Sequence, residues 1–148
     1  MKTLFRRLLV LFAVLASNAF AEIAMPALQQ SGEITFVTGG IAEEAELMRN
    51  VAKDYTLEIV LVQRLDNREY FLADVNIQIF DATQQLVLET NTEGPYLYAN
   101  LPAGRYVIVA TFNGETKQQK MQVTTKKHQK VVFWWLSNEP LQLEETLE

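Results

Sequence analysis

The sequence predicts a mainly β protein: an antiparallel β-sandwich of about seven strands with one N-terminal α-helix. Three observations carry this. From Thr56 to Leu136 apolar residues recur with a period of two, and turn residues interrupt them at about the 8–12-residue spacing of an all-β fold. Only Ile41–Tyr55 places its apolar residues three and four apart, the spacing of one helical face. The chain has no cysteine, so packing rather than disulfides must hold the sheets together.

The first 21 residues precede this domain. Lys2, Arg6 and Arg7 are basic, Leu8–Ala16 is an unbroken apolar run, and Ser17–Ala21 ends on small Ala19 and Ala21. That order is the pattern of a secretory signal peptide with cleavage near Ala21-Glu22. A membrane-spanning helix needs about 20 apolar residues, more than this run supplies. No cysteine marks a lipid-attachment site. The expectation is a periplasmic or secreted product with no stable membrane insertion after cleavage. Its parts are a signal peptide (1–21), an N-terminal arm and helix (22–55), a β-sandwich domain (56–136) and an acidic tail (137–148).

Removing residues 1–21 takes away three of the 13 basic residues and none of the 18 acidic ones, leaving a formal charge of −8. An acidic domain repels phosphate backbones, so nucleic acid is not an expected partner. The lack of cysteine also excludes thiolate metal sites and cysteine nucleophiles.

Each element has its own signal. Glu22–Gly32 lacks a period and reads as an irregular arm. Ile34–Val37 is a short strand candidate, and Thr38-Gly39-Gly40 breaks it. In the helix, Ile41, Ala45, Met48, Val51, Ala52 and Tyr55 share a face. Glu43, Glu44 and Glu46 lie early and Arg49 and Lys53 late, which complements the helix dipole. Thr56–Arg64 is apolar on both faces, as in a central strand. Leu65–Tyr70 reads as a polar turn or loop. Ala73–Asp81, Leu86–Thr92, Tyr96–Leu101, Arg105–Phe112, Glu115–Val123 and Gln129–Leu136 follow as strands. Asn113-Gly114 between two alternating runs is the strongest hairpin signal, because a type I′ turn needs positive φ at both central residues.

The most specific segment is Tyr96–Tyr106, YLYANLPAGRY. Pro102 pre-sets φ for a tight turn and Gly104 suits its fourth position. A positive φ at Gly104 would make that position intolerant of valine. This Leu-Pro-x-Gly-x-Tyr pattern resembles the carboxypeptidase regulatory-like domains of the prealbumin-like sandwich type. The match extends more loosely over Ala73–Trp135. Thr38-Gly39-Gly40-Ile41 and the helix after it resemble small exported bacterial proteins that carry this domain. The resemblance implies an accessory or binding module without a catalytic centre or cofactor.

Catalytic and metal patterns are weak. His128 is the only histidine and lies among Lys126, Lys127 and Lys130, which repel a metal ion. Asp66-Asn67-Arg68-Glu69 lacks the order of a calcium loop and reads as a solvated turn. Ser31 and Ser137 have no nucleophile-elbow setting. Gly39-Gly40 reads as a sharp strand-to-helix turn, since Glu43 and Glu44 would repel an anion. Asp66, Glu69 and Asp74 are the carboxylates on which a hydrolase reading would depend.

Neighbours in a strand point to opposite faces. Val131, Phe133 and Trp135 therefore read as core, and Trp134 as a partly exposed aromatic beside Val132 and Lys130. Tyr96 and Tyr98 also share a face and are expected to extend an aromatic surface with Trp134. The expected function is a non-enzymatic interaction or accessory module of the bacterial envelope, binding a protein or an envelope polymer. A carbohydrate-binding module using Trp134, Tyr96 and Tyr98 is the alternative.

Overall fold

The computed structural model of the chain describes residues 22–137. The leader expected over residues 1–21 and the tail from residue 138 onward lie outside the described residues. The chain runs β1 (Gln29–Ser31), β2 (Ile34–Gly39), α1 (Glu44–Val51) with a 3-10 turn (Ala52–Asp54), β3 (Leu57–Leu65), β4 (Arg68–Phe71) and β5 (Asn76–Phe80). Then follow β6 (Leu86–Asn91), β7 (Tyr96–Asn100), β8 (Gly104–Phe112), β9 (Glu115–Val123) and β10 (Gln129–Leu136). Among the described residues the protein is mainly β, with one α-helix and two sheets. The larger sheet has the order β1-β2-β7-β3-β10, with β4 also on β3, and the smaller has β6-β5-β8-β9.

Ten strands stand where about seven are expected. Gln29–Ser31 and Arg68–Phe71, read from the sequence as arm and polar loop, both pair as strands. The pairing is also not purely antiparallel. β10 runs parallel to β3, from Gln129 opposite Leu57 to Leu136 opposite Arg64.

The helix has a topological reason for its place. β2 and β3 each pair antiparallel with β7, so they run in the same direction. Two such strands cannot be joined by a tight turn; the chain must cross over one face of the sheet. α1 makes that crossover. Met48 and Ala52 are buried against Val37, Val60, Tyr96 and Tyr98, with Ala45, Val51 and Tyr55 packed around them. Burying a methionine of this kind stabilises by about 1.5–3 kcal/mol. Ile41, expected on the same face, is exposed and precedes the helix. Ala42 takes φ 53°, which breaks helical continuity between them.

Alternation sorts the larger sheet into two faces. Leu57, Ile59 and Leu61 of β3, Leu97 and Ala99 of β7, and Val131, Phe133 and Trp135 of β10 join one core with Ile77, Ile79, Ile108 and Ala110 of the smaller sheet. Glu58, Val60, Val62, Tyr96, Tyr98, Val132 and Trp134 alternate with these and occupy the opposite, outer face.

Two tight turns set the registers that matter. Asn113 (φ 48°) and Gly114 (φ 77°) link Phe112 to its partner Glu115, as the Asn-Gly signal predicts. Asp66 (φ 47°) and Asn67 (φ 62°) do the same between Leu65 and Arg68, with no glycine present. At the Leu-Pro-x-Gly-x-Tyr segment, Leu101 is buried and the Tyr106 hydroxyl donates to the Pro102 carbonyl at 2.7 Å. Gly104 begins β8 outside the left-handed region, and a Cβ there would lie 3.6 Å from Tyr106 Cε2. The backbone reason expected for glycine at that position is therefore absent.

Candidate functional site

The outer face of the larger sheet is divided in two. One half lies under α1. It holds Val37, Tyr98 and Tyr96, together with Val60 and Val62 of β3. The other half runs across β4, β3 and β10 beyond the helix. Register places Phe71 of β4 opposite Val62, and Val62 opposite Trp134 of β10. Arg64 lies opposite Glu69 on one side and Leu136 on the other.

The structure corrects the expected aromatic surface. Tyr98 is 0% exposed and Tyr96 is buried as well. Both share the outer face with Trp134, as alternation requires, but the helix crossover covers them. They are also not on a strand adjacent to β10, because β3 lies between. Their rings continue a packed row instead. Tyr55 and Tyr98 centroids are 5.7 Å apart, Tyr98 and Tyr96 5.9 Å, and Tyr96 and Phe71 5.8 Å. The Tyr98 hydroxyl has no hydrogen-bond partner among the described residues. Burial, then the charge of Glu58, pushes this phenol well above its ordinary range, against a smaller opposing effect of Arg49.

Trp134 is partly exposed, as expected, at 37%. Its neighbours were not legible. Phe71 is 63% and Leu136 71% exposed, and both border the same open half. The Arg64 guanidinium stands 4.9 Å from the centre of the Trp134 ring, within the range of a cation–π contact. The same guanidinium reaches Glu69 Oε1 at 3.3 Å. The surface thus consists of two aromatic rings and a leucine around one arginine–glutamate pair. Phe71 escaped the sequence reading because the polar Leu65–Tyr70 stretch conceals a hairpin. Its only signal was Asp66-Asn67, two residues that tolerate positive φ.

At the other end of β10, His128 is fixed at both nitrogens. Nδ1 lies 2.9 Å from the Tyr55 carbonyl oxygen and Nε2 2.8 Å from Glu58 Oε2. Glu58 is buried, and its other oxygen lies 3.5 Å from Lys130 Nζ. The arrangement ties the start of β10 to the 3-10 turn and β3. With both ring nitrogens engaged, it holds structure together and leaves no free nitrogen to accept a substrate proton.

The remaining sequence candidates have local roles. Gly40 has φ 97°, and its N–H donates to Glu44 Oε1 at 2.6 Å, so the strand-to-helix turn is tied to the chain's own carboxylate, while the first helical N–H groups of Glu44, Ala45 and Glu46 bond the backbone carbonyls of Ile41, Ala42 and Glu43. Asp66 sits in the β3–β4 turn and Glu69 is paired with Arg64. Asp74 takes φ 58° in the link before β5. On the smaller sheet a shallow hollow of about 530 Å³ is lined by Asp81, Arg105, Tyr106 and Lys120, among others. The Asp81 carboxylate accepts from the Thr83 hydroxyl and from the Gln85 and Thr83 backbone N–H groups, which holds its carboxyl below the usual range. Among the described residues no group of three or more His, Cys, Asp or Glu side chains is placed to hold a metal ion. No helix among them is long and apolar enough to cross a membrane.

No protein-family model matches the chain, and no curated protein matches it.

Proposed function

We propose that the chain is an exported, non-enzymatic interaction module of the bacterial envelope that docks a protein through Phe71, Trp134 and Leu136. In this reading the fold is a prealbumin-like sandwich of the carboxypeptidase regulatory-like kind, delivered to the periplasm by the segment at residues 1–21. The Leu-Pro-x-Gly-x-Tyr segment and the two sheets sharing one core support it. The observation that carries the function is the open half of the outer face, where Phe71 of β4 and Trp134 and Leu136 of β10 remain exposed on either side of β3. Protein interfaces are enriched in aromatic residues and arginine and concentrate their affinity in such groups.

A protein suits the site better than an envelope polymer. Sugars stack on open aromatic faces, and the Arg64 guanidinium already occupies one face of Trp134. Tyr96 and Tyr98, which a carbohydrate platform would use, are buried. The test is a photo-crosslinking residue at position 71 or 136, with position 86 as a control. Leu86 is also exposed but lies on the smaller sheet. In envelope extract, positions 71 and 136 should give discrete protein adducts and position 86 should not. Equal adducts from all three positions, or none, would count against a docking surface here.

A further inference from the structure

We infer that the far edge of β10 is a strand-docking site that accepts an extended acidic segment of a partner protein. The inference rests on the docking reading above and specifies how that partner binds. Among the described residues β10 is the last strand of its sheet. Its Gln129 and Ser137 N–H groups donate to the Thr56 and Arg64 carbonyls at 2.9 and 3.0 Å. Backbone groups alternate in direction along a strand, so the odd-numbered residues face β3. The N–H and C=O groups of Lys130, Val132, Trp134 and Leu136 therefore face away from it. Among the described residues only the Val132 carbonyl meets a partner there, Gln119 Nε2 at 3.4 Å.

An unpaired row of this kind is a template for another strand unless the sequence guards it. The contrast with β9, the edge strand of the smaller sheet, is informative. β9 carries Lys117, Gln118, Gln119 and Lys120 in sequence, polar side chains that discourage pairing. β10 carries Val132, Trp134 and Leu136 at the positions whose backbone groups point outward. Between the two edges lies a groove of about 400 Å³, bordered by Lys117, Gln119, Val132 and Trp134.

Charge identifies the occupant. From Glu115 to Lys130 the sequence has five lysines and one acidic residue, within a chain whose formal charge is −5. Lys117 pairs with Glu115 and Lys130 with Glu58, while Lys120, Lys126 and Lys127 make no ion pair among the described residues. An acidic extended segment would gain main-chain hydrogen bonds from β10, apolar contact from Trp134 and Leu136, and attraction from Lys117, which borders the groove, and from Lys126 and Lys127 in the turn before β10. A second copy pairing β10 to β10 would instead bring two lysine-rich edges together.

The test titrates labelled octapeptides into the full chain and follows fluorescence anisotropy. One peptide alternates glutamate and valine, and a second alternates lysine and valine. Two more repeat the first with one or the other alternate set of amides N-methylated. The glutamate–valine peptide should bind at least about tenfold more tightly than the lysine–valine peptide. Methylating one set should abolish binding while the other set is tolerated, because only one edge of the added strand faces β10. Lys117→Glu with Lys126→Glu, at a half-exposed position of β9 and an exposed one of the turn before β10, should weaken binding without changing thermal unfolding.

Equal binding of both methylated peptides would overturn strand addition and leave charge alone. Failure of every peptide to bind would overturn the proposal. So would a β10-paired dimer in sedimentation, or binding that appears only after Glu139, Glu144, Glu145 and Glu148 are changed to glutamine, since the chain itself would then fill the site. If peptides fail while position 71 still crosslinks to protein, the strand mode falls and the docking surface stands.

Discussion

Glu58 and His128, 70 residues apart in sequence, meet at 2.8 Å across the parallel junction of β3 and β10. Glu58 is buried on the outer face, where a lone carboxylate would be costly. His128 and Lys130 supply its partners, and the Tyr55 carbonyl holds the other side of the ring. The contact fixes the start of the strand whose far end carries Trp134 and Leu136.

His128→Ala leaves the buried Glu58 carboxylate with Lys130 as its only ion-pair partner among the described residues. The expected cost is about 1–3 kcal/mol, read as a lower urea midpoint with an unchanged slope. Glu58→Ala should cost a similar amount. The double variant should cost less than the two single costs added together, because each single change already breaks the shared contact. Strict additivity would show that the two residues do not act as a pair.

Gly94 and Gly104 should respond in opposite ways to alanine. A Cβ at Gly94 would collide with the Gly39 carbonyl carbon and oxygen, which are backbone and cannot turn aside. Gly94→Ala is expected to destabilise by about 1–3 kcal/mol through this overpacking. Gly104→Ala meets only ordinary contact with Tyr106 and should stay within about 1 kcal/mol of the parent. Thermal unfolding of the two variants side by side checks both statements.

Alkaline pH should unfold the protein through its tyrosines. Burial raises Tyr98 furthest, and it also raises Tyr55 and Tyr106 above the ordinary value of 10.0. A raised folded-state value means that the native state keeps protons that the unfolded state releases. This contribution is complete below pH 10.0 and is lost as pH climbs above it. Phenolate absorbance should therefore come partly before and partly together with loss of the sheet signal in circular dichroism. If all five tyrosines ionise before any unfolding, the Tyr98 environment is wetter than described.

What the sequence made legible follows from which signals are local. The β8–β9 hairpin was legible because Asn113-Gly114 is a turn with its own mechanism. The helix was legible because Met48, Val51, Ala52 and Tyr55 repeat at helical spacing. Asp66-Asn67 forms an equivalent turn without glycine, so β4 and Phe71 stayed hidden in a polar stretch. Alternation correctly grouped Tyr96 with Tyr98, and separated Trp134 from Trp135. It could not say what covers a face, and the covering helix is set by the non-local pairing of β2 and β3 with β7. The parallel neighbourship of β3 and β10, which brings Arg64 to Trp134, is likewise a matter of topology rather than pattern.

The open half of the outer face is the central claim, and surface substitution addresses it most directly. Phe71→Ser with Leu136→Ser removes exposed apolar area and, of the packed rows, only the Phe71–Tyr96 ring contact, so thermal unfolding should fall by no more than a few degrees. Binding of the purified variant to envelope extract is compared with that of the parent and of Leu86→Ser on the smaller sheet. The account predicts about a tenfold or greater loss for the double variant and no loss for Leu86→Ser. Undiminished binding by the stably folded double variant would contradict it.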